Sequence, residues 1–122
     1  MKPKNKNILL VEDDQSVADT IKEILEQFEY NVTISSRSTE ALRLVHAHPE
    51  TFDIVIADLN MPNMNAIELA KKIHDVKINI PFIICTGDSS IETDKIKKIE
   101  DINEVFIKPF PINDLVSAIK TF

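Results

Sequence analysis

The residues that could do chemistry together stand one step beyond apolar runs. Asp13 and Asp14 come soon after ILLV (8–11), Asp58 directly after DIVIA (53–57), Thr86 after PFIIC (81–85) and Lys108 after EVFI (104–107). Three carboxylates brought together repel unless a cation joins them, and an all-oxygen set without Cys or His suits Mg²⁺, with Mn²⁺ as a substitute. Mg²⁺ needs only one or two carboxylates beside phosphate oxygens and waters, which leaves Asp58 able to attack a phosphoryl group and form an acyl phosphate. The phosphoryl oxygens then need counter-charge and donors. Lys108 supplies charge, Thr86 a hydroxyl, and Gly87 beside it permits close backbone approach. Pro109 fixes the turn after Lys108 and so aims it, in a cis or a trans form.

Taken alone, Asp13 and Asp14 read better as a helix cap than as a metal site. Their weight comes from the elements that must carry all five residues. ILLV, NVTI (31–34), DIVIA, PFIIC and EVFI read as strands covered on both faces. Between them recur stripes at helical spacing: Val17, Ile21, Ile24, Leu25 and Phe28, then Ala41, Leu42 and Val45 behind a cap at Ser38. A third helix starts near Asn65 with Ile67, Leu69, Ala70 and Ile73 inward, and a last one starts beside Pro111 with Ile112, Leu115, Val116 and Ile119 inward. The fourth, about Ser90 to Ile99, has only Ile91, Ile96 and Ile99 among charges, and a loosely held element is expected there. Strand and helix alternation predicts a parallel sheet with right-handed crossovers. In such a sheet the carboxyl ends of the strands share one edge, where ligands bind, so the five residues converge.

Composition narrows the function classes. The chain has 122 residues, one domain's worth, and a separate output domain is not expected within it. No apolar run is long enough for a membrane span and the start lacks a signal-peptide core, so a cytoplasmic protein is expected. Cys85, the only cysteine, cannot form a disulfide within the chain and reads as a small core residue. A net charge of −6 opposes direct contact with nucleic acid or an anionic membrane. His46, His48 and His74 read as surface histidines, and Lys95, Lys97 and Lys98 as a solvated helix face.

Four segments together, ILLVEDD (8–14), DLNMPNMNAIEL (58–69), TGD (86–88) and IKPF (107–110), resemble the response-regulator receiver domain of two-component signalling, of the chemotaxis-regulator-like kind. The resemblance covers essentially the whole chain, 1–122. It implies a flavodoxin-like doubly wound (βα)5 fold with strand order 2-1-3-4-5. Asp13, Asp14 and Asp58 would bind metal with the Asn60 backbone carbonyl, Asp58 would accept phosphate, Thr86 would be the switch hydroxyl and Lys108 the phosphate-pairing base. The implied partners are a histidine kinase or histidine phosphotransfer protein, and a downstream protein met by the face of helix 4, strand 5 and helix 5.

This sequence departs from the family pattern in three places. Val105 stands where an aromatic switch residue is usual, with Phe106 adjacent and expected to face the opposite way into the core. Ala66 stands where glycine is common, and Gly87 is the only glycine. Two other functions compete with the switch. One is a degenerate receiver acting only by protein contact. The other is a phosphohydrolase resembling the haloacid dehalogenase family, which needs a second aspartate where this chain has Asn60. Turnover of an external substrate is therefore not expected.

Overall fold

The computed structural model describes residues 6–77, 79–88, 90 and 93–122. Five strands, β1 (Asn7–Val11), β2 (Asn31–Ser35), β3 (Ile54–Asp58), β4 (Phe82–Thr86) and β5 (Glu104–Ile107), alternate with α1 (Gln15–Gln27), α2 (Ser38–Ala47), α3 (Ala66–His74), α4 (Thr93–Lys97) and α5 (Ile112–Lys120). All neighbouring strands pair in parallel, in the order β2-β1-β3-β4-β5. This is the flavodoxin-like arrangement expected from the sequence.

Period-two alternation divides the core into two layers. Leu9, Val11, Val55, Ala57, Phe82, Ile84 and Val105 pack on one face of the sheet, with Ala41 and Val45 of α2, Leu69, Ala70 and Ile73 of α3, and Ile96 of α4. Ile8, Leu10, Ile54, Ile56, Ile83 and Cys85 pack on the other, with Ala18 and Leu25 of α1 and Leu115, Val116 and Ile119 of α5. Strands β1, β3 and β4 are therefore apolar almost throughout because neither face meets water.

Local chemistry sets the helix ends. Asp14 caps α1 by accepting from the Val17 amide, and Asn65 caps α3 by accepting from the Glu68 amide. Ser38 differs from expectation. It is the first helical residue of α2, after an Arg37 cap that makes no side-chain bond, and its buried hydroxyl donates instead to the Met64 carbonyl at 2.8 Å. That bond fastens α2 to the loop after β3.

Phe28 also differs: it is the C-cap of α1, outside the buried stripe, and 40% exposed. The chain turns there through Glu29 at φ 68°, with the Glu29 amide bonded to the Glu26 carbonyl and the Tyr30 amide to the Leu25 carbonyl. This is the double-bonded helix stop normally made by glycine, here made by glutamate in a left-handed conformation. Of the expected fourth helix, Thr93–Lys97 is helical, Ile96 is buried and Ile99 half-buried, while Ile91 lies outside the described residues. Lys97 pairs with Glu104 of β5 at 2.8 Å, so part of the expected solvated face is tied to the sheet.

Candidate functional site

The ends of β1, β3 and β5 deliver the parts of a compact polar cluster. The chain leaves β1 at Val11 and places Glu12 and Asp13 over the carboxyl edge. The central strand β3 ends on Asp58 itself, paired with Cys85 across β4. Glu12, Asp13 and Asp58 each offer an oxygen, all within 4.8 Å of one another. Asp14, expected with them, is not in this set: its Oδ1 accepts from the Val17 amide at 3.2 Å as the helix cap. Glu12 was overlooked in the sequence, although it is the first residue after the β1 apolar run. The cluster contains only carboxylate oxygens, a donor set that fits a hard divalent cation such as Mg²⁺.

Lys108 reaches the same cluster from the end of β5. Its backbone amide donates to the Thr86 carbonyl at 2.7 Å, which fixes where the side chain departs. Its Nζ lies 2.8 Å from Glu12 Oε1 and 3.7 Å from Asp58 Oδ2. Burial raises the Glu12 carboxyl above its ordinary value, and the Lys108 hydrogen bond only partly opposes this. Burial alone would lower Lys108, but the hydrogen bond to Glu12 and the charges of Glu12 and Asp58 raise it on balance. The ammonium is thus held charged beside a carboxyl that burial makes easier to protonate.

Thr86 is fully buried at the last position of β4, its Oγ1 accepting from the Asp88 amide at 3.1 Å. The hydroxyl hydrogen remains available to a second acceptor. Gly87 follows it on the exposed side, and a Cβ there would meet nothing within 4 Å, so the protein itself sets no steric demand for glycine. Asn60 is exposed in the loop after β3, its amide donating to Asp58 Oδ1 at 3.2 Å. Lys108–Pro109 is cis, which settles the isomer left open by the sequence.

Val105 is buried among the residues facing α4, and Phe106 turns the opposite way, its ring 5.2 Å from that of Phe110. The expected opposite facing is what the structure shows. Cys85 is the β4 partner beside Asp58, and burial pushes its thiol up to about 12, which makes it an inert core residue at neutral pH. His46 and His48 are exposed, as expected of surface histidines. His74 is not: both of its ring nitrogens are engaged.

The doubly wound sheet has this strand order, and acids, a buried hydroxyl and a lysine lie at the carboxyl ends of its strands. Residues 8–120 match the response regulator receiver domain, and the chain belongs to that family, the receivers of two-component signalling. It is 33% identical over 116 residues to the regulatory protein VirG of Agrobacterium tumefaciens, covering 94% of this chain and 42% of that protein. It is 31% identical over 113 residues to the cell cycle transcriptional regulator CtrA of Caulobacter vibrioides, covering 92% and 48%. The chain thus spans less than half the length of these relatives.

Solved structures agree in fold. A receiver domain protein from Clostridium thermocellum superposes with a TM-score of 0.88 at 28% identity, covering 95% of this chain and 92% of that one. A CheY-like receiver domain protein from Methanospirillum hungatei gives 0.85 at 30%, covering 97% and 93%. Among the described residues no helix is long and apolar enough to cross a membrane.

Proposed function

We propose that the chain, as one receiver unit over residues 1–122, is a phosphorylation-gated switch with Asp58 as phosphoacceptor. The observation that carries this is the meeting of Glu12, Asp13, Asp58 and Lys108 at the end of the central strand. An Asp58 carboxylate oxygen attacks the phosphorus of a phosphohistidine on a histidine kinase or phosphotransfer protein. The P–N bond breaks and the imidazole leaves with its electron pair, taking up a proton, while the P–O bond makes Asp58 an acyl phosphate. Lys108, already 3.7 Å from Asp58 Oδ2, offers counter-charge to the phosphoryl oxygens.

Glu12, Asp13, Asp58 and the Asn60 carbonyl would hold Mg²⁺, or Mn²⁺ in its place. The ion, when bound, supplies charge neutralisation at the phosphoryl group. Asp14 contributes as a helix cap and general negative field. Thr86 delivers the signal: its hydroxyl hydrogen, left available while Oγ1 accepts from the Asp88 amide, is donated to a phosphoryl oxygen and draws the end of β4 and the turn at Asp88 with it. With Val105 in place of an aromatic, that shift is felt through the core layer that Val105 shares with Ile96 and Ile102 and passed to a protein docked on α4, β5 and α5. The setting is cytoplasmic, and no external substrate is turned over. Membership of the receiver family leaves the phosphohydrolase reading without support.

The test is phosphorylation with acetyl phosphate and Mg²⁺, followed by intact mass. One added phosphoryl group is expected in the natural sequence and none in Asp58→Ala. No adduct, together with no spectral response to beryllofluoride and Mg²⁺, would sink the proposal.

A further inference from the structure

At the opposite end of the sheet from Asp58, α3 finishes on His74. Its imidazole is turned inward, the side chain only 12% exposed, between the residue preceding Pro81 and the segment joining α4 to β5. Nδ1 lies 2.7 Å from Asp101 Oδ1, and Nε2 lies 2.8 Å from the Ile80 carbonyl oxygen. A carbonyl oxygen and an ionised carboxylate can only accept. A neutral imidazole has one N–H and can serve one of them, so serving both takes two protons.

The charged groups around the ring are mostly acidic. His74 borders an open cavity of about 630 Å³ whose charged lining residues are Lys71 and Asp75 from α3 and Glu100 and Asp101 from the α4–β5 connection. Three carboxylates against one ammonium leave a net negative field, and the carboxyl end of α3 adds the negative pole of its dipole. Asparagines 79 and 103, which also line the cavity, carry no charge.

What the imidazolium holds is a short, tightly wired segment. The Ile102 amide bonds the Ile99 carbonyl, and Asn103 is bonded to Phe82 at the start of β4 through both its amide and its side-chain oxygen. Asp101 lies between these anchors. We infer that His74 is a proton-binding site: with two protons it braces the end of α3 to the α4–β5 connection, and with one it must release either Asp101 or Ile80. The placement of α4 and β5 then responds to pH without any event at Asp58.

The test uses the full chain, unphosphorylated, so that its outcome is separate from the phosphoacceptor reading. Imidazole nitrogen shifts of His74, followed from the acid end of a pH titration, should show both nitrogens protonated there. As pH rises and the ring loses a proton, hydrogen-exchange protection at the Ile102 and Asn103 amides, corrected for intrinsic base catalysis, should fall about fivefold. In Asp101→Asn the side-chain amide can donate or accept, so the contact survives with a neutral ring and protection should stay level across the same range. Protection in the natural sequence that is unchanged when the ring loses its second proton, or an Asp101→Asn protein as pH-dependent as its parent, would each overturn the inference.

Discussion

Replacing Glu12 by Gln should weaken Mg²⁺ binding, whereas replacing Asp14 by Asn should barely affect it, although the two acids are two residues apart. The Glu12 carboxylate shares a cluster whose oxygens lie within 4.8 Å of one another. At about 4 Å in a water-like dielectric, a single charge and a dication attract by about 2 kcal/mol, so loss of the Glu12 charge should cost roughly 30-fold in affinity. A second effect acts in the same direction. Lys108 Nζ, facing a neutral amide oxygen in place of the carboxylate 2.8 Å away, is held less tightly and can move closer to Asp58 and compete with the cation there. Asp14 is exposed and occupied as the α1 cap, where Asn caps equally well, so Asp14→Asn should change affinity by less than about threefold. Calorimetric Mg²⁺ titration at low ionic strength, with thermal melts to confirm folding, measures both. A larger loss in Asp14→Asn than in Glu12→Gln would refute the placement of Glu12 in the cluster.

The other predictions concern stability. Ser38→Ala removes the buried bond to the Met64 carbonyl and should lower unfolding free energy by about 1–2 kcal/mol, read as a lower urea midpoint. Glu29→Gly relieves a left-handed glutamate and should raise the same quantity by about 1 kcal/mol; a fall would show that the Glu29 side chain contributes something the backbone argument omits. Burial raises the Glu12 carboxyl against the pull of Lys108, so its ionised form costs the folded state. Relative to Glu12→Gln, the natural sequence should therefore gain stability as pH falls from neutrality through that raised value, and chemical denaturation across this range would show the opposite slope if Glu12 were held down instead.

The architecture was readable because each strand's apolar run is set by the two layers that cover it, a constraint the residues themselves carry. Glu12 was less readable. A run of three acids after a strand does not say which one the turn aims inward, and the helix cap, a local hydrogen bond, claimed Asp14. Phe28 fitted the helical stripe by spacing alone, but the stop built from Glu29 and Tyr30 ends the helix before it can bury. The absence of glycine concealed that stop. His74 was misread because its two acceptors come from residues 80 and 101, and nothing in its own neighbourhood of charges announces them.

Lys6 has a consequence for how the chain could be rewired. Its ammonium donates to the carbonyls of Ile119 and Phe122, so the start of β1 and the last turn of α5 are held side by side. The first strand and the last helix of the receiver fold are then near neighbours in space. Residues 6 and 122 could be joined by a few flexible residues and new ends opened in an exposed turn elsewhere, with the 2-1-3-4-5 sheet and its acidic edge kept whole.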